Sequence, residues 1–187
     1  MRTIHTRRSS GPLGDGIRAA GPADFGALVE LHDRLDALTV LSRHLTPHPD
    51  LSAAHIAGLL DTDGRHRAAF VTEHGGRVTG FGRYVRQPGT TTGEALVLAD
   101  AEGRAAGDEE RLVAQLAAAA RRAGLTRLAM EVLPIDRGFL DLVDGSSLPF
   151  CRHLHCGAVN VTLDLSRLTG EAGLTPLETS TSGGGSP

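Results

Sequence analysis

Between Gly93 and Gly124 the chain alternates three textures in a fixed order, and few folds accommodate that order. An apolar run, Ala95-Leu96-Val97-Leu98-Ala99, is followed by a small-residue turn, Gly103-Arg104-Ala105-Ala106-Gly107. An amphipathic stretch from Asp108 to Arg122 completes the unit. The run is strand-length and the stretch is helix-length, so the segment reads strand, turn, helix. Such a unit presents free backbone N–H groups at a helix N-terminus, where an anion such as phosphate is favoured. The same turn runs directly into Asp108-Glu109-Glu110, three acids where that anion would sit.

The 187 residues suffice for one domain with a substantial core. There is no Trp and one Tyr, so the core is expected to be built from Leu, Val, Ala and a few Phe. The net charge of -3 gives no case for binding nucleic acid or a membrane surface. All 19 basic residues other than His are Arg, so the protein has no lysine of its own to acylate. No apolar run approaches the roughly 20 residues that span a bilayer. Met1 to Asp15 lacks the apolar centre of a signal peptide, and two cysteines do not make a disulfide framework. The expectation is a cytoplasmic protein.

Residues 1–15 and 166–187 are polar and rich in Ser, Thr and Gly; both read as flexible ends, leaving a domain over 16–165. Ile17 to Ala20 is a short strand. Pro22 and Asp24 suit the start of a helix, along which Leu28, Leu31, Leu35 and Leu38 form one apolar stripe. Ser52 caps a second helix carrying Ile56, Leu59 and Leu60. Residues 68–73 and 78–85 form a hairpin around His74-Gly75-Gly76-Arg77. After the strand–turn–helix unit come a strand at 128–132, a short helix after Pro134, and two closing strands at 151–155 and 158–165. The fold class is mixed α/β.

This order of elements resembles the GNAT superfamily of acyl-CoA N-acyltransferases. Ile17-Arg18-Ala19-Ala20-Gly21-Pro22-Ala23-Asp24 is similar to the family's opening strand and helix start. Ser42-Arg43-His44-Leu45, Pro47-His48-Pro49 and Leu51-Ser52 resemble the linker of a bacterial branch that includes protein-lysine acetyltransferases. Val132-Leu133-Pro134-Ile135-Asp136-Arg137 resembles that branch's strand-end segment, in which Asn usually stands where this chain has Asp136. The resemblance covers about residues 16–165. It implies a mostly antiparallel sheet of six or seven strands, splayed near the middle and flanked by helices.

The family's pyrophosphate motif is Gln or Arg, two residues, Gly, one residue, then Gly or Ala. It maps onto Arg104-Ala105-Ala106-Gly107-Asp108-Glu109, or one residue earlier, onto Gly103 to Asp108. In either register an acid replaces the final small residue. The resemblance implies acetyl-CoA as acyl donor. Leu98 and Ala99 would meet its pantetheine arm, and the amides of Ala105, Ala106, Gly107, Asp108 and Glu109 its pyrophosphate, with Arg104 and Asp136 beside it. Glu94 matches the family's common general-base position. The helical Tyr that often serves as general acid is replaced, at Val143; water can reprotonate a thiolate leaving group, which is a weak base. The acceptor would be an amine, either a protein lysine or a small molecule, and the protein a monomer or homodimer.

An Asp or Glu about 4 Å from a phosphate costs roughly 1 kcal/mol in water and about 4 kcal/mol at intermediate dielectric, unless its side chain points away. A module of the same fold that no longer transfers acyl groups is therefore the alternative reading. Cys151-Arg152-His153-Leu154-His155-Cys156 offers metal-binding residue types, but four tetrahedral ligands within six extended residues is poor zinc geometry. No metal site is expected there, only a strand with a small buried Cys and part-exposed His. His44 and His48 fall in the linker, either lining the substrate cleft or exposed on a loop.

Overall fold

The computed structural model describes residues 16–47, 49 and 51–168. The expectations for 1–15, for His48 and for 169–187 lie outside the described residues. Leu165–Arg167 form a 3-10 turn and Leu168 packs against the core.

Among the described residues seven strands form one sheet in the order β1-β2-β3-β4-β5-β7-β6. They are β1 (Gly16–Ala19), β2 (Arg67–His74), β3 (Arg77–Arg86), β4 (Thr92–Ala99), β5 (Arg127–Val132), β6 (Phe150–His155) and β7 (Ala158–Asp164). Every pairing is antiparallel except β4 with β5. The β2–β3 hairpin turns on Gly75 and Gly76 at φ 54 and 77, the left-handed pair that a two-residue turn needs. The mixed α/β class and the splayed, mostly antiparallel sheet are those anticipated from the sequence.

The helices are α1 (Phe25–Arg34), α2 (Ala37–His44), α3 (Ala53–Leu60), α4 (Ala101–Ala105), α5 (Asp108–Arg122) and α6 (Arg137–Gly145). Leu28 and Leu31 of α1 pack with Ile56, Leu59 and Leu60 of α3 against Val71, Phe81 and Leu98 on one face of the sheet. On the other face Leu112, Val113 and Leu116 of α5 and Phe139, Leu140 and Val143 of α6 cover Tyr84, Val97, Leu128, Met130 and Val161. The α5 boundaries coincide with the amphipathic stretch, and Gly124 at φ 79 lies just past its end.

Two expectations are corrected. The leucine stripe from Leu28 to Leu38 is not one helix: Leu35 is extended at ψ 137, and Asp36 starts α2 by accepting from Thr39 N at 2.8 Å. An N-cap aspartate outcompetes continuation of the helix, and Leu38 ends 41% exposed. The small-residue stretch after β4 is not an open turn either. Asp100 accepts from Gly103 N at 2.9 Å, caps α4, and leaves Ala106 and Gly107 to join it to α5.

Candidate functional site

β4 and β5 pair only from Thr92 to Glu94, against Arg127 to Ala129. Ala95–Ala99 and Met130–Val132 run on without pairing to each other, so the sheet opens immediately after Glu94. Parallel strands joined at one end diverge under the twist of the sheet unless a ladder holds them. α5 begins at the far end of this opening and α6 beside it.

Glu94 lies at the last paired position, exposed, on the face it shares by alternation with Leu96 and Leu98. Gln87 Nε2 donates to its Oε1 at 2.7 Å and orients the carboxylate. The one tyrosine cannot act as a nearby acid: Tyr84 is fully buried in the α5-side core and donates to Arg65 O at 3.4 Å. Val143 is likewise buried, against α6's neighbours in that core.

The turn residues are brought together differently from one another. Ala105 ends α4; Ala106 N donates to Glu102 O and Gly103 O, and Gly107 N to Arg104 O. Gly107, at φ 76, is the N-cap of α5 and takes no side-chain cap. Asp108, Glu109 and Glu110 supply the first-turn N–H groups of α5, which have no intrahelical carbonyl to bond. Arg104 turns away from the helix end. Its Nη1 donates to Thr39 Oγ1 and Ala99 O, both at 2.8 Å, and its Nη2 to Asp36 Oδ2 at 2.5 Å. Leu98 is fully buried in the α1-side core.

The acids also turn inward. Asp108 is completely buried and accepts from Thr79 Oγ1 at 2.7 Å, Thr72 Oγ1 at 2.8 Å and His74 Nε2 at 3.0 Å, with Arg111 closing the set. Burial works against its charge, but the hydrogen bonds from Thr79, His74, Thr72 and Arg111 together outweigh it and hold the carboxyl below its ordinary range. Gly103 must be glycine beneath this cluster, because a Cβ there would meet Thr79 O at 2.5 Å and Asp108 Oδ2 at 2.8 Å. Asp108 thus ties the start of α5 to β2 and β3.

Glu109 points toward the opening. Arg43 Nη2 donates to its Oε1 at 2.9 Å and lies 3.2 Å from Asp136 Oδ2. Asp136 is the N-cap of α6, accepting from Phe139 N at 3.3 Å, and Arg43 stacks 3.7 Å from the centroid of the Phe139 ring. The Arg43 side chain is 3% exposed, and its Nε and Nη1 have no hydrogen-bond partner among the described residues. Burial pushes the Glu109 carboxyl above its ordinary range, against the pull of Arg43. Next to Arg43, Ser42 Oγ accepts from Leu133 N at 3.2 Å, just past β5. α2 therefore lies across the opening: Thr39 reaches its β4 edge through Arg104, and Ser42 its β5 edge.

Sequence reasoning reached Glu109 and Asp136 separately but missed Arg43, the cation that joins them, and Ser42. α2 buries Thr39, Ser42 and Arg43 while Leu38 stays exposed, an inversion that shows in the packing and not in the helix's own sequence. An inverted helix face marks polar groups waiting in the neighbour.

The histidines and cysteines separate from this cluster. His44 ends α2, part-buried 5.7 Å from the His32 ring, and burial lowers its pKa to about 4. Cys151 and Cys156 are free and exposed, not buried as anticipated, because β6 is an edge strand with little packed over it. Cys156 Sγ lies 3.2 Å from His155 Nε2. Among the described residues no group of three or more His, Cys, Asp or Glu is placed to hold a metal, and no helix is long and apolar enough to cross a membrane. A groove of about 620 Å³ lies between β2 and the end of α5, floored by alanines such as Ala68 and Ala119, and none of the residues discussed as a donor site lines it.

No known family profile matches the sequence, and no curated protein does. Solved structures do match. The GNAT domain of S. lividans PAT superposes with a TM-score of 0.69 at 24% identity, over 79% of this chain and 89% of that one. The yncA protein of Salmonella typhimurium, solved with its cofactor acetyl-CoA, gives 0.64 at 16% identity over 81% and 94%. An N-acetyltransferase from Staphylococcus aureus Mu50 gives 0.64 at 20% identity over 81% and 99%. The chain has the GNAT acetyltransferase fold.

Proposed function

We propose that this GNAT-fold protein is an N-acetyltransferase that moves an acetyl group from acetyl-CoA to an amine. The observation that carries the reading is the opening of β4 from β5 directly after Glu94, with the start of α5 at its other end. A neighbour of this fold, yncA, was solved with its cofactor acetyl-CoA. The residues present fit such a donor in part. The first-turn N–H groups of Asp108, Glu109 and Glu110 suit a pyrophosphate, and Arg43 retains two buried nitrogens able to donate. The Asp108 charge is no obstacle, since its hydrogen bonds turn it under the helix.

Acetyl-CoA would supply a thioester. Glu94, oriented by Gln87, would accept the proton that an attacking ammonium must lose, leaving the amine neutral. As the new N–C bond forms and the C–S bond breaks, the departing thiolate is stable enough to be protonated by water, so no side-chain acid is required. The acceptor is an amine of a protein lysine or of a small molecule. The acceptor of the S. lividans neighbour does not transfer to this chain at 24% identity.

Glu94→Gln tests the assignment. The variant keeps the shape and the contact to Gln87 but cannot take a proton. We expect kcat/KM for an amine to fall about 100-fold or more, with the loss of the acidic limb of the pH–rate profile. An unchanged profile removes Glu94 as base. A second reading, a module of this fold that does not transfer acyl groups, is favoured by one feature: Glu109 places a carboxylate on Arg43 inside the opening.

A further inference from the structure

Arg43 is a buried guanidinium using few of its five donors. Its residue exposure is 8%, it bonds Glu109 through Nη2 alone, it approaches Asp136 with the same nitrogen, and among the described residues Nε and Nη1 are unpartnered. A buried cation with unmade hydrogen bonds is costly to keep, and an acceptor that engages more of its fork is strongly favoured. Glu109, whose side chain Arg43 bonds, stands in the first turn of α5, where three N–H groups have no intrahelical carbonyl to bond. Two independent features thus favour an anion here, and the anion already present is the chain's own Glu109 carboxylate. It makes one bond to Arg43 where a phosphate offers several oxygens.

We propose that Glu109 is an internal stand-in for the donor's phosphate, a latch that holds Arg43 closed over the opening and is displaced when an acyl-CoA binds. The proposal rests on the donor reading above. Arg43 passes from the Glu109 carboxylate to the incoming anion, while Asp136 and the Phe139 ring keep it in position. The charged groups facing Glu109 are Arg43 on α2 and Asp136 at the start of α6, with the charge of Arg104 on α4 felt from further off. Glu109 already sits in a site that favours its neutral form, so lowering the pH releases the latch.

The test is calorimetric titration of the full chain, its Glu109→Gln variant and its Glu109→Ala variant with acetyl-CoA and, separately, with inorganic pyrophosphate, from pH 5 to 8. Removing a charge about 4 Å from the phosphate is worth at least about fivefold in affinity. Both variants are expected to bind at least that much more tightly, with the advantage over the unsubstituted chain largest at pH 8 and shrinking toward pH 5. If all three proteins bind acetyl-CoA equally, the latch is overturned and the donor reading stands. If none binds either probe, both fail. Tighter pyrophosphate binding by the variants without acetyl-CoA binding removes the donor reading and overturns the latch as a device for acyl-CoA. Failure of both variants to fold makes Glu109 a structural residue and overturns the latch.

Discussion

Asp108 shows how far a residue's role can depart from its position in a motif. At the start of a helix an aspartate ordinarily faces water and complements the dipole. Here it is completely buried and gathers the hydroxyls of Thr72 and Thr79 with His74 and Arg111. Asp108→Ala would strand two buried hydroxyls and take this acceptor from His74 and Arg111, and should cost about 3 kcal/mol in a denaturant titration. Its carboxyl is held below the ordinary value. A carboxyl depressed in the folded state contributes stability that is complete above its unfolded pKa and is lost as pH falls through the folded one. The acid-side loss of stability should therefore be shallower in Asp108→Ala than in the unsubstituted chain. The same dependence in both would place the charge outside the network. None of this was legible from Asp108-Glu109-Glu110, because the partners lie 29 and 36 residues away in the hairpin.

At the scale of elements, periodicity and turn chemistry located most of the fold. The hairpin around Gly75-Gly76 and the helix from Asp108 to Arg122 were readable because local sequence and tertiary packing agree there. They disagree at α2. Its leucines continue the rhythm of α1, but Asp36 breaks the helix and the turn buries Thr39, Ser42 and Arg43 instead. The opening of β4 from β5 leaves Ala99 O and Leu133 N without strand partners, and polar side chains of α4 and α2 take them up. Only a helix with its polar side inward meets that demand, and no single-helix pattern announces it. α2 ends with Leu45 at φ 55, a left-handed conformation in which Leu is strained. Leu45 is 43% exposed, so little packing is lost on its removal. Leu45→Gly should raise stability by about 1 kcal/mol, seen as a higher denaturation midpoint at constant slope. A lower midpoint would show that the exposed Leu45 side chain matters more than the strain.

The molecule as a whole is a GNAT fold whose site is built from ordinary parts in an unusual state of charge. The order of elements and the family it resembles were enough to anticipate the sheet and its splay; Glu94 stands at the last paired position of β4 and Asp136 at the start of α6. Order and resemblance were not enough to anticipate Arg43, since a cation in a short helix gains its meaning only from Glu109 and Asp136, 66 and 93 residues further on. The central claim is that the opening takes an acyl-CoA, and thermal unfolding of the unsubstituted chain in acetyl-CoA measures it most directly. Ligand at a hundredfold over its dissociation constant stabilises by about 2.7 kcal/mol, worth roughly 5–10 °C in a chain of this size. The account predicts a concentration-dependent rise of that order. No rise at millimolar acetyl-CoA would contradict it.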